Sequence, residues 1–335
     1  MRITRDLLHK FAREAVKQRQ RSEPDLYAAY LTGSLLSDDP LLGGTTDIDL
    51  ILVHKFQTPV DRETEALTHE ISLDIVHRKQ EDYAQHRQLR QDPWIGYPLT
   101  HSQVILYDTD HWLEFIQSSA SADFHRSDNV LARVNSLFSA ARNNWIDLIQ
   151  TPPETRLAWL YRYLEILAYA ANAVSGLIGP PLTTRRFLRT FNNRVETLGV
   201  PKIMAGFTGL LGYSDDHAEY FPQWINSFEE DYSRLQNIDS IPPHLSDCRQ
   251  TYYLNGIQAL ANDSHPGWAI WPLLQTWLDV RLAAIPNSLE SGPWEDMLST
   301  INLGESAISE KTDALDAYLD TLELTIESWA DIYGI

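Results

Sequence analysis

The stretch LTGSLLSDDPLLGGTTDIDL, residues 31–50, decides how the chain is read. It holds a Gly-Ser pair, a polar loop rich in glycine, and two aspartates separated by a single isoleucine at the start of an apolar run. Side chains alternate faces along a strand, so Asp47 and Asp49 project from one side, about 6.5–7 Å apart along the backbone. Ile48, Leu50 and Leu52 then point the other way, into a core. Two carboxylates held this closely repel each other unless a cation lies between them. Hard divalent ions such as Mg²⁺ take oxygen ligands, commonly one or two carboxylates together with substrate phosphates. Asp74 supplies a third carboxylate among the apolar residues Leu73, Ile75 and Val76 of a further strand. Three acids on adjacent strands have the donor set for two ions about 3.5–4 Å apart.

Gly33 and Ser34 complement that arrangement. A glycine lets the backbone approach a phosphate, and a hydroxyl with backbone N–H groups at a helix start can bond its oxygens. Phosphoryl transfer depends on positioning and charge neutralisation more than on covalent chemistry by the protein.

Around this stretch, the first hundred or so residues alternate strand and helix patterns. Strands are expected over DLYAAYLTGS (25–34), DIDLILVH (47–54), ISLDIVHRK (71–79) and QVILYDTD (103–110). Helices are expected over the opening MRITRDLLHKFAREAVKQRQR, with Leu7, Leu8, Phe11 and Ala15 on one side, over VDRETEALTHE (60–70), and from about His111 to Gln117. After about residue 128 the pattern is helical: 130–149, 156–178, 268–285 and 312–333 all carry apolar residues at three- and four-residue intervals. The pairs Pro152-Pro153, Pro180-Pro181 and Pro242-Pro243 mark helix boundaries. The expected fold class is therefore α+β: a domain over 1–125 with a small mixed β-sheet and flanking helices, then an all-helical domain over 126–335.

Composition narrows the function. With 335 residues and 43% hydrophobic content the chain can bury a sizeable core. No run approaches the ~18–20 apolar residues that span a bilayer, and the charged N-terminus lacks the apolar core of a signal peptide. Cys248 is the only cysteine, which excludes an intramolecular disulfide and any multi-thiolate zinc site. The expected location is cytoplasmic. Eleven histidines are scattered without an HExxH pairing, so a zinc hydrolase has little support. The formal net charge of −19 repels a long nucleic acid, and a small, cationic substrate suits it better.

The ordered set Gly33-Ser34, twelve intervening residues, Asp47-Ile48-Asp49 and then Asp74 resembles the DNA polymerase β-type nucleotidyltransferase superfamily. Within it, chain length and a helical C-terminal part look similar to antibiotic nucleotidyltransferases that modify aminoglycosides, and to uncharacterised bacterial relatives. The resemblance covers roughly residues 25–117. It implies that Asp47 and Asp49 coordinate Mg²⁺ ions bridging the phosphates of an NTP. It also implies that Asp74 binds the second ion and orients or deprotonates the acceptor hydroxyl, while Gly33 and Ser34 hold the β- or γ-phosphate. NMP would pass to an acceptor hydroxyl with release of pyrophosphate. Glu165, in WLYRYLEILAYAANAV, is the candidate general base from the helical domain, set against a solvated or Arg-paired glutamate. The loop 35–46 lacks the arginine often found there in relatives, a role open to Arg78 or Lys79.

Three functions remain open on these grounds: nucleotidyl transfer to a small hydroxyl-bearing molecule, transfer to RNA or protein, and a catalytically idle fold used for nucleotide sensing or partner binding. The arginines of TTRRFLRTFNNR (183–194) are either a phosphate-facing patch or an amphipathic helix paired with nearby acids. The glycines of GFTGLLG (206–212) read as a turn or helix end. The tryptophans read as core, with Trp268 and Trp271 as candidates to line a pocket. Nothing in the sequence fixes the oligomeric state.

Overall fold

The computed structural model describes residues 2–37, 39–102, 104–238, 241–284, 289 and 292–335. Asp38, Gln103 and Ile285, each part of a segment read above, lie outside the described residues. The chain divides into two compact units: residues 1–125 with 242–256, and residues 126–241 with 257–335. The return of 242–256 to the first unit departs from a single break near residue 125.

In the first unit, helix α1 (Arg5–Ser22) starts at Thr4, whose hydroxyl accepts from the Leu7 N–H at 3.3 Å. Its buried stripe is Leu8, Ala12 and Val16, flanked by Phe11 and Ala15; Leu7 is only partly covered. Strands β1 (Leu26–Thr32), β2 (Thr46–His54), β3 (Arg62–Ala66), β4 (Ile71–Lys79) and β5 (Ile105–Asp108) form one mixed sheet in the order β3-β4-β2-β1-β5. β2 and β4 run parallel and every other pair is antiparallel. Ile48, Leu50 and Leu52 join Leu73 and Ile75 beneath α1, on the face the alternation predicts. The opposite face carries Tyr30, Ile51 and Val53, packed with residues of α2 (Gly96–His101) and α3 (Trp112–Ser121).

The helix expected over 60–70 is instead edge strand β3. Its glutamates, alanine and leucine favour a helix in isolation, but pairing with β4 overrides that preference. In the strand register, Thr64 lies opposite Asp74, and Arg62 opposite Val76. Arg62 and Thr64 share the Asp74 face, while Glu63 and Glu65 face α1, where both meet Arg19. A charged strand of five residues also suits an exposed sheet edge.

The second unit contains α4 (Ser127–Gln150), α5 (Arg156–Gly176), α6 (Phe187–Thr197), α7 (Pro201–Leu211) and α8 (Phe221–Leu235), then most of the chain after α9 (Gln250–Ala261). That remainder comprises α10 (Ile270–Ala283), α11 (Gly292–Thr300) and α12 (Ile308–Tyr333). Aromatic pairs fill its core: Phe187 stacks on Trp271 at 4.1 Å, and Trp277 meets Trp294 edge-on at 5.3 Å. Trp271 is thus a core residue, whereas part-exposed Trp268 stacks with His265 and lies beneath Arg189. Gly206 and Gly209 sit inside α7, and Gly212 caps it in the left-handed conformation, so GFTGLLG is a helix end.

Candidate active site

The acids converge because β2 and β4 pair in parallel with Asp49 directly opposite Asp74 and Asp47 opposite Ser72. Asp47, Asp49 and Asp74 each offer an oxygen, and these atoms lie within 4.8 Å of one another. All three belong to the face that carries Ile51 and Val53 further along β2. Asp47 and Asp74 are buried and Asp49 is part-exposed.

Gly33 completes the pocket wall. β1 ends at Thr32, opposite Asp49, and the chain turns at once into the short 3₁₀ helix Gly33–Leu36. Gly33 has φ +70°, and a Cβ there would stand 1.7 Å from Asp49 Oδ2. Conformation and space therefore both demand glycine. Ser34 follows in the same turn and is partly exposed; its carbonyl accepts from the Ser37 hydroxyl at 2.7 Å. Gly33→Ala is expected to cost about 1–2 kcal/mol from the left-handed backbone alone. It should also push Asp49 off its position and weaken divalent-metal binding about tenfold or more. Urea melts and metal titration read these effects separately.

Two arginines enter the acid cluster. Arg62 grips Asp74 with two hydrogen bonds, Nε to Oδ1 at 2.7 Å and Nη2 to Oδ2 at 2.5 Å. That bond, above all, raises the Arg62 pKa. Arg249 comes from the returning segment and is only 3% exposed. Its Nη2 donates to Asp47 Oδ2 at 3.0 Å and lies 3.5 Å from Asp74 Oδ2, while Nη1 donates to Ser72 Oγ at 3.0 Å. The guanidinium stands 3.9 Å from the centre of the Tyr252 ring. Burial works against the Arg249 charge, but Asp47 and the other acidic neighbours outweigh it and raise its pKa. The segment is tied to β3 through Thr64, whose hydroxyl lies 2.7 Å from both the Pro243 carbonyl and Ser246 Oγ.

These are the arginines at the cluster, in place of the Arg78 or Lys79 suggested by the sequence. Lys79 pairs with Glu81 at 3.2 Å, and Arg78 lies four residues, about 13 Å, along β4 from Asp74. Arg62 was concealed by the helical reading of its strand. Arg249 is 175 residues from Asp74, and DCRQTYY carries no pattern that would have selected it.

Two guanidiniums against three carboxylates leave one negative charge. Among the described residues the Asp49 side chain makes no hydrogen bond or ion pair, and its carboxyl pKa is held well above the usual range. Burial is the main cause, followed by repulsion from Asp47 and Asp74, with Arg249 and Arg62 opposing. An oxygen-only donor set with one carboxylate short of a counter-charge fits a hard divalent cation.

Glu165 belongs to the second unit and is not part of this cluster. It lies on α5, half-buried, and accepts from Asn144 Nδ2 at 3.4 Å. Three of the arginines of 183–194 have structural surroundings: Arg185 is buried, Arg194 donates to the Ser175 and Pro180 carbonyls, and Arg189 covers Trp268. On α12, Asp316, Asp320 and Glu323 all pair with Arg142 of α4. No helix among the described residues is long and apolar enough to cross a membrane.

No family model matches the sequence, and none of the curated proteins matches it. Among solved structures, the chain aligns with the nucleotidyltransferase-like protein from Exiguobacterium sibiricum 255-15. The alignment covers 93% of this chain and 90% of that chain, at 10% identity and a TM-score of 0.31.

Proposed function

We propose that the protein is a Mg²⁺-dependent nucleotidyltransferase that moves NMP from an NTP to a hydroxyl of a small molecule. The observation that carries this reading is the convergence of Asp47, Asp49 and Asp74 within 4.8 Å, against a glycine turn too tight for any Cβ. The three aspartates would hold Mg²⁺, two ions on the family resemblance. Such ions supply charge neutralisation at the phosphates of the bound nucleotide.

The chain's own groups have defined tasks in that reaction. The N–H groups of the Gly33–Ser34 turn and the Ser34 hydroxyl bond the terminal phosphates. Arg62 and Arg249 add the positive charge that the 35–46 loop lacks, and their planar forks suit phosphate oxygens. Asp74, on the family resemblance, orients or deprotonates the acceptor hydroxyl. The hydroxyl oxygen then bonds the α-phosphorus while the bond to the β-phosphate oxygen breaks and pyrophosphate leaves. Glu165 stays a candidate base on the family resemblance, and Glu165→Gln tests it through the pH–rate profile. An aminoglycoside-like cation suits the net charge of −19.

One observation favours a second reading. Arg62 and Arg249 already neutralise two of the three acids, as they would in a closed ion-pair network of a catalytically idle nucleotide sensor. Calorimetric titration of a non-hydrolysable NTP, with and without Mg²⁺, separates the two. Transfer requires metal-dependent binding that disappears in Asp47→Ala/Asp49→Ala. Binding that ignores both the metal and the mutations supports the sensor, and no binding at millimolar nucleotide leaves only an idle fold used for partner binding.

A further inference from the structure

A second cluster of titratable groups lies on the α1 face of the sheet, at the other end of β2. His54 and His77 are both buried there, their rings stacked at 5.0 Å. His54 Nε2 and His77 Nδ1 face each other at 2.8 Å. Of the outward nitrogens, His77 Nε2 hydrogen-bonds Glu63 Oε1 at 3.3 Å, while His54 Nδ1 lies 3.5 Å from Asp25 Oδ1 without a hydrogen bond. Glu23, the residue that ends α1, brings Oε2 to 3.8 Å from His54 Nε2, and that buried oxygen has no hydrogen-bond partner.

Tautomers make this arrangement informative. The 2.8 Å inward contact is an N–H···N hydrogen bond in one tautomer of the pair, and in the tautomer with both protons outward the inward nitrogens present lone pairs to each other. The Glu23 oxygen adds a third acceptor beside them. In that tautomer three acceptors converge and a cation satisfies all of them at once. Imidazoles that bind metal are typically oriented in this way, the second ring nitrogen donating to a carboxylate. Burial lowers the His77 pKa, against the pull of Glu63, which favours the neutral, ligating form. Arg19, 3.4 Å from Glu23 Oε1 and 2.8 Å from Glu63 Oε1, holds both carboxylates in place.

We propose that Glu23, His54 and His77 bind one Zn²⁺ ion that clamps the end of α1 to β2 and β4. Two imidazoles and a carboxylate are a common zinc donor set, with water in the fourth position. Zn–N bonds of about 2.0–2.1 Å at a tetrahedral angle put the two nitrogens about 3.3 Å apart, so the rings separate by about half an ångström. The site is distinct from the aspartate cluster in face, donor chemistry and preferred ion.

The test is calorimetric titration of Zn²⁺ into protein stripped with chelator, in an Asp47→Asn/Asp49→Asn background so that the aspartates cannot take up the ion. The expected result is one equivalent bound, with affinity reduced at least about tenfold in Glu23→Gln and about a hundredfold in His77→Gln. Zinc should also raise the melting temperature, and His77→Gln should remove that rise. Glu23 is partly exposed, so Glu23→Gln keeps the test decisive should His77→Gln fail to fold. No heat at about 100 µM Zn²⁺, a concentration well above typical protein–zinc dissociation constants, would overturn the proposal. So would binding that survives both substitutions but disappears with His111→Ala, which would place the ion at the exposed Asp108–His111–Glu114 group.

Discussion

Asp49→Asn is expected to abolish Mg²⁺-dependent nucleotide binding, lower transfer activity by at least about a hundredfold, and still stabilise the metal-free protein near neutral pH. The two effects have one cause. Asp49 lies within reach of two other carboxylates and has no donor of its own, so its folded-state pKa is raised, by burial first and then by Asp47 and Asp74. The unfolded chain therefore gives up this proton at lower pH than the folded protein does. The stability attached to the protonated group is complete below the unfolded value, about 3.9, and is lost as pH rises through the folded one. Asparagine stays neutral throughout. Melts in chelator should thus show the variant above wild type near neutrality, the gap closing toward about pH 4. Mg²⁺ should raise the wild-type melting temperature and leave the variant's nearly unchanged. A variant less stable than wild type at neutral pH would mean that Asp49 is satisfied within the fold, and the case for a cation there would fail.

Arg249→Met should be the most damaging single change to the first unit, at about 3–5 kcal/mol in urea unfolding. The guanidinium is buried and is shared by Asp47, Asp74 and Ser72. Removing it takes a hydrogen bond from buried Asp47 and a neighbouring positive charge from buried Asp74, which costs more than the ion pair itself contributes. Arg249→Lys keeps the charge but cannot serve Ser72 and Asp47 with a planar fork, and should fall between the two. Adding Asp47→Asn to Arg249→Met should recover part of the loss, a coupling that a double-mutant cycle measures directly. A cost below about 1 kcal/mol would place Arg249 among ordinary surface ion pairs.

Much of this site was legible in the sequence because its geometry is local. Alternation along one strand puts Asp47 and Asp49 on one side, and Asp74 sits within ISLDIVHRK, whose β-branched run matches β4 from end to end. Gly33 is demanded by the turn that ends β1. What was not legible depends on pairing partners distant in sequence. Residues 60–70 have the composition of a surface helix, and only the β4 edge makes RETEA a strand. Arg62 was hidden with it. Arg249 escaped for a similar reason: the proline pair at 242–243 marks a boundary, but composition cannot say to which body the next fifteen residues return. The long helices were readable because each buries its own 3.6-residue stripe.

The return of residues 242–256 also sets an order of events during synthesis. A ribosome makes the strands carrying the three aspartates early, but Arg249 emerges only after nearly three-quarters of the chain. Until then the nascent sheet carries its acids with Arg62 paired to Asp74 and without Arg249 beside Asp47. A fragment ending at residue 125 would keep all the proposed metal ligands and lack the arginine that reconciles them. Cutting the chain after residue 125 would therefore yield an N-terminal piece dependent on divalent metal for its stability, and supplying 242–256 as a separate peptide should relieve that dependence.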